Sequence, residues 1–266
     1  MNRIFFTTVI FSLILSSCDN GSDQVNGNPY ESIYQPMPSS PTLLRGATVL
    51  TGNGERFENT DLILKEGKID AIGPNLVAED IIVIDAKGMW VTPGIIDVHS
   101  HLGVYASPRV RAHSDGNEAT APNTAEVWAE HSVWPHDPGF VTALAGGITS
   151  LQILPGSANL IGGRGVTLKN VPGQSVMEMK FPGAPHGLKM ACGENPKRVY
   201  GSRRQPPSTR MGNVAGYRAA WIEASDYRDE MEEANKGQGK PPKRDLKLET
   251  LVGVLNGEIL VHNHCY

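Results

Sequence analysis

The run Pro93-Gly94-Ile95-Ile96-Asp97-Val98-His99-Ser100-His101 constrains this chain more than any other segment. Residues 95–99 read as a β-strand, and side chains two apart on a strand point to one face. His99 and His101 therefore project side by side, at a spacing suited to chelating one metal ion. In a barrel of parallel strands and returning helices the C-terminal strand ends carry the active site. The histidine pair sits where its strand ends.

The pattern changes on either side of this run. From Leu43 to Gly73 short apolar runs are separated by turns at Gly52-Asn53-Gly54 and Glu66-Gly67-Lys68, which is the pattern of antiparallel β structure. Residues 81–85 continue it. After Trp90-Val91-Thr92-Pro93-Gly94, apolar strands alternate with helical stretches, as in βα units with a parallel sheet. The pattern predicts a helix over 137–146 and strands over 148–154 and 187–191. A long helix is predicted over 214–235, then a helix capped by Asp245 and ending at Asn256-Gly257, then a last strand over 259–265. Ala158 to Gly165 reads as a glycine-rich loop able to line a pocket with backbone amides. It lacks the strand-loop-helix pattern and the lysine of a phosphate loop, which excludes nucleotide binding.

With 39% hydrophobic and 20% charged residues the composition is that of a globular protein, and a formal charge of −4 leaves no electrostatic footprint for nucleic acid. The first eighteen residues stand apart. Arg3 precedes a mostly apolar run from Ile4 to Leu15, too short to span a hydrocarbon core of ~30 Å, and so reads as a signal segment. Leu15-Ser16-Ser17-Cys18 resembles a bacterial lipobox, which implies a lipid anchor at Cys18 on an exported protein facing the periplasm or cell surface. Residues 19–41 read as a flexible tether. Once Cys18 is lipidated, Cys192 and Cys265 remain, as one disulfide or two buried thiols. Without a Cys-x-x-Cys pair there is no thiolate zinc site.

From residue 43 to 266 the chain resembles the amidohydrolase superfamily, in its imidazolonepropionase-like and related secreted groups. The Pro-Gly-Ile-Ile-Asp-Val-His-Ser-His run matches the family's first barrel strand, and Ala145-Gly146-Gly147-Ile148-Thr149-Ser150 its second. The resemblance implies an α/β fold: a small β-sandwich segment over 42–92, then an incomplete (β/α)8 TIM-type barrel over 93–266. Gly187-Leu188-Lys189-Met190-Ala191-Cys192-Gly193 looks like the fourth strand, which makes Lys189, in carboxylated form, or else Glu194, a metal ligand. Leu260-Val261-His262-Asn263-His264-Cys265-Tyr266 looks like the fifth, which makes His264 the ligand and His262 a second choice or a pocket residue.

The implied metal set is thus His99, His101, Lys189 and His264, around one or two divalent ions. Zn2+ is the ion that suits imidazole and carboxylate donors. The implied reaction is hydrolysis of a carbon–nitrogen bond in a small-molecule amide or dipeptide-like substrate by a metal-activated water. The family's general-base aspartate is expected beyond Tyr266, and the run from Gly94 to Tyr266 is shorter than the ~250 residues of a typical barrel. The expectation is therefore a C-terminally truncated member, inactive alone. The other reading is a non-catalytic lipid-anchored binding or scaffold protein, or an inactive remnant. His113, Asp115, Asn117 and Glu118 read as a solvated loop, His131 and His136 as packing or surface residues, and the charges from Arg228 to Glu233 as a solvated helix face.

Overall fold

The computed structural model describes residues 30–265, so the signal segment, Cys18 and the tether as far as residue 29 lie outside the described residues. Two five-stranded sheets make up the β structure. The first contains β1 (Thr42–Leu50), β2 (Arg56–Lys65), β3 (Lys68–Gly73), β4 (Ile82–Asp85) and β5 (Trp90–Val91). β2 pairs antiparallel with β1 and with β3. The β2–β3 turn has both Glu66 and Gly67 at positive φ, 51° and 71°, as a two-residue hairpin requires. The expectation of purely antiparallel structure fails for β4 and β5, which both run parallel to β1. They reach it by crossing back over the sheet rather than by a tight turn, and that choice of partner is not written in local turn residues. Ala47, Val49, Leu62 and Ala86 form this sheet's small core.

The second sheet has the order β10-β9-β8-β7-β6, from β6 (Ile95–Ser100), β7 (Ile148–Ile153), β8 (Ile161–Lys169), β9 (Gly187–Ala191) and β10 (Leu260–His264). β6 runs parallel to β7, and β9 to β10, as the βα pattern predicts. Between them β8 runs antiparallel to both neighbours. Most of the expected glycine loop thus belongs to a strand. Its glycines serve close backbone approach: a Cβ on Gly163 would strike the Val127 carbonyl, and one on Gly165 would stand 2.7 Å from the Ile153 oxygen.

Helices pack outside the sheet. α1 (Pro138–Ala145) and α5 (Leu246–Leu255) lie where the pattern places them, each capped by the preceding aspartate. α4 (Arg210–Asn235) begins four residues earlier than predicted, because Thr209 caps it through the Gly212 amide. The short α2 (Val176–Met179) and α3 (Glu194–Ser202) were not legible as separate helices. Leu160, Ile161, Leu188 and Met190 pack with Ala220, Ala224 and Leu251 of α4 and α5, forming one core. Val104, Phe140, Leu151, Ile153 and Leu168 form another beside α1. Part of the stretch read as a tether is docked: Ile33 N–H donates to Met177 O at 3.0 Å, and Ser32 Oγ to Lys180 O at 2.7 Å. None of the helices among the described residues is long and apolar enough to cross a membrane.

The loop after β6 is tied down by one carboxylate. Asp137, 2% exposed, accepts from Gly139 N (2.9 Å) as the α1 cap, and also from Gly103 N (2.8 Å) and Ser107 N (3.1 Å). Hydrogen bonds to a charged group contribute about 1.5–3 kcal/mol each. Asp137→Ala should therefore destabilise the chain by about 3 kcal/mol or more in urea unfolding. A loss under about 1 kcal/mol would show that the three amides find other partners.

Candidate metal centre

The edges of the second sheet, β6 and β10, would stand about 19 Å apart if it were flat, at about 4.8 Å per strand. Instead the imidazoles of His99 and His264 have centroids 6.0 Å apart, so the sheet is curled and its two edges meet across the concave face. His101, one residue past β6, has its ring 5.3 Å from that of His99. Its Nδ1 lies 2.7 Å from the Leu154 carbonyl, to which it donates, leaving the Nε2 lone pair available. His99 has its own backbone N–H on Asp97 Oδ1 at 3.1 Å.

Lys189 comes from β9, the strand beside β10. It is 1% exposed, and its Nζ lies 3.0 Å from His99 Nε2. Among the described residues no carboxylate pairs with it. Burial pushes its amine down from 10.5 to about 8. The same effect reaches its neighbours. Burial first, then the Lys189 charge, lowers the pKa of His99, His262 and His264, while Asp97 partly opposes the shift at His99. These imidazoles are held neutral, the form that carries a lone pair for a metal.

The structure thus brings His99, His101, His264 and Lys189 together. Glu194, the alternative to Lys189, sits instead at the start of α3 with its carboxylate on Arg198 Nε at 2.9 Å, half exposed. His262 is the register partner of Lys189 on β10. Among the described residues no three His, Cys, Asp or Glu side chains close by themselves into a ligand shell. The cluster is three imidazoles with a lysine amine set against them.

Cys192 and Cys265 are joined as a disulfide with Cα atoms 5.0 Å apart, which resolves the two readings of these thiols. They follow β9 and β10 directly, and Cys192 N–H donates to His264 O at 3.1 Å, so the strand ends bearing Lys189 and His264 are stapled side by side.

Other polar loop residues stay apart from the histidines. His113 hydrogen-bonds the Pro108 carbonyl and lies against Trp134 with centroids 5.1 Å apart. Asp115, Asn117 and Glu118 line a separate cavity of about 370 Å3 with Glu126 and His131. His131 stacks on Trp128 at 14°, a packing role. Two contributors to the site escaped the sequence. One is Leu154, which acts only through its carbonyl. The other is Asp137, whose one signal is the Asp-Pro-Gly start of a helix.

No family model matches the chain. It is 34% identical to the amidohydrolase tasK of Hapsidospora irregularis over 261 residues, taking in 85% of this chain and 27% of that protein. A dihydroorotase of Halalkalibacterium halodurans is 43% identical over 61 residues, 23% of this chain and 14% of the enzyme. The crystal structure of an amidohydrolase from Thermotoga maritima MSB8 superposes with a TM-score of 0.77 at 39% identity, over 84% of this chain and 57% of that one. The chain therefore spans about a quarter of tasK and just over half of the Thermotoga protein. With the curled half-barrel and the likeness extending over most of its length, the chain belongs to the amidohydrolase superfamily.

Proposed function

We propose that this chain supplies the zinc-binding part of an active site that hydrolyses a carbon–nitrogen bond in a small-molecule amide or dipeptide-like substrate. The observation that carries the reading is the buried amine of Lys189 set among neutral imidazoles, with no carboxylate among the described residues to balance it. His99, His101 and His264 would hold the ion through imidazole nitrogen. A neutral Lys189 amine is the form that adds carbon dioxide, losing a proton, to become an anionic oxygen donor. Zinc, when bound, supplies Lewis acidity and a water acidic enough to ionise near neutral pH. The donor chemistry fits. His101 already has one nitrogen committed to Leu154, and Lys189 is buried with no partner that must be displaced except His99.

The amidohydrolase names of tasK and the Thermotoga protein, and the dihydroorotase, support hydrolysis of a small amide. On this reading the first sheet is one face of the family's β-sandwich segment. Export as a lipoprotein anchored at Cys18 belongs to the same proposal. It is supported by the lipobox-like Leu15-Ser16-Ser17-Cys18 and by a disulfide, which suits an oxidising compartment.

Metal binding tests the reading with residues present here. After chelator treatment, the full chain should take up zinc in a calorimetric titration. His101→Ala and His264→Ala should each weaken uptake by at least about tenfold. No zinc uptake, or uptake indifferent to both substitutions, would overturn the assignment.

Lys189 makes a second prediction, about the metal-free chain. Its pKa is lower folded than unfolded, so the cost of burying the cation is fully present below about pH 8 and relieved as pH rises towards 10.5. Metal-free stability should therefore climb across that window. Lys189→Met should stabilise the metal-free chain at pH 7 by on the order of 2 kcal/mol and flatten the climb, while losing zinc affinity. A metal-free wild type whose stability does not climb over that window, or a Lys189→Met variant that is destabilised, would mean that the amine is solvated.

A further inference from the structure

The two strands that carry Lys189 and His264 are held in unequal ways. The end of β9 is gripped from α4. Buried Asn213 donates through Nδ2 to the carbonyls of Cys192 (2.9 Å) and Gly193 (3.0 Å), and the Tyr217 hydroxyl donates to the Ala191 carbonyl. β9 also has a strand on each side, β8 and β10. Among the described residues β10 pairs with β9 alone. Its Leu260 and Val261 are exposed, so little apolar burial adds to that ladder. Ile259, just before the strand, is buried in the core beside α5 and anchors only its start. A strand with one neighbour and few buried contacts belongs to the part of a fold that opens at least cost.

At the far end of β10 the Cys192–Cys265 disulfide supplies what packing does not. His264 is bracketed by it: the His264 carbonyl accepts from Cys192 N–H at 3.1 Å, Ala191 is its register partner, and Cys265 follows it directly. Cys265 is exposed, whereas Cys192 is half-buried, so the bond is open to solvent from the β10 side.

We propose that this disulfide is a redox latch on the metal centre: its reduction by a dithiol lets the end of β10 leave β9 and takes His264 away from His99, His101 and Lys189. A thiolate of the reductant bonds to the Cys265 sulfur and breaks the S–S bond, and Cys192 departs as a thiolate that takes up a proton. The second thiol of the reductant then closes on the first, releasing Cys265 as a thiol and a cyclic disulfide as product. Two electrons and two protons have passed to the protein. Because α4 keeps Cys192 in place, β10 is the strand that moves. The consequence for zinc rests on the function proposed above. The release of β10 does not.

Hydrogen exchange in the metal-free full chain tests the release directly. After treatment with dithiothreitol, a gain of two free thiols shows that the bond has opened. The amides of residues 260–264 are then expected to exchange at least about tenfold faster, while those of β8 keep their protection. Unchanged exchange in β10 would overturn the proposal. So would an equal loss of protection in β8, or a Cys192→Ser/Cys265→Ser variant that does not fold, since either makes the bond a brace of the whole fold. The folded double variant, whose serines add no thiolate ligand, should bind zinc at least about fivefold more weakly than the oxidised wild type, the low end for coupling between sites. Equal affinity would separate the latch from the metal centre and refute its role there. Should the wild type take up no zinc at all, the zinc reading falls, and the exchange result still decides whether reduction releases β10.

Discussion

A lysine amine with 1% of its surface exposed and imidazoles for neighbours is the constraint around which the second sheet is organised. A buried cation is tolerated only where it is paired, neutralised or converted into something else. Among the described residues no carboxylate comes to it, and the imidazoles beside it cannot balance a positive charge. The strand order, the curl and the disulfide all hold other groups in place about that amine. On the zinc reading proposed above, an ion would turn this cost into a use, because it needs neutral imidazoles and gains from an anionic lysine derivative.

The curl is what converts five separate strands into one site. His99 and His264 lie on opposite edges of the sheet, so their approach depends on the sheet's shape rather than on any contact within a strand. β8 contributes to that shape with glycines at positions where neighbouring backbone leaves no room for a side chain. The glycines at 165 and 187, facing one another in register, also leave room beside the Gln152 side chain. Small residues in this sheet therefore serve geometry as much as the histidines serve chemistry.

Much of this was legible in the sequence, and the reason differs from residue to residue. The alternation in residues 95–101 is local, so the orientation of His99 and His101 followed from strand geometry alone. Asp245 as a helix cap was equally local. Lys189 is the one polar residue on a short apolar strand, and the His-x-His spacing of His262 and His264 does not by itself choose between them, so only resemblance to a family pointed to Lys189 and His264. The glycines at 163 and 165 misled because their role is set by Val127 and Ile153, in other elements of the chain. The parallel placement of β4 and β5 was hidden for the same reason, since nothing near either strand names β1 as its partner. Lys189 lies inside β9 and Glu194 just past its end, and only coordinates show that Lys189 Nζ approaches His99 whereas Glu194 pairs with Arg198.

The disulfide has a consequence for the chain as a covalent object. Cys192 and Cys265, 73 positions apart, close a ring that contains α3, α4, α5 and β10. The glycine-, proline- and lysine-rich connector between α4 and α5 lies inside that ring, and much of it is exposed. A single protease cut there opens the ring without dividing the molecule, since both new ends remain attached through sulfur. The strand that bears His264 is thus retained, covalently attached, after a nick that would otherwise divide the chain.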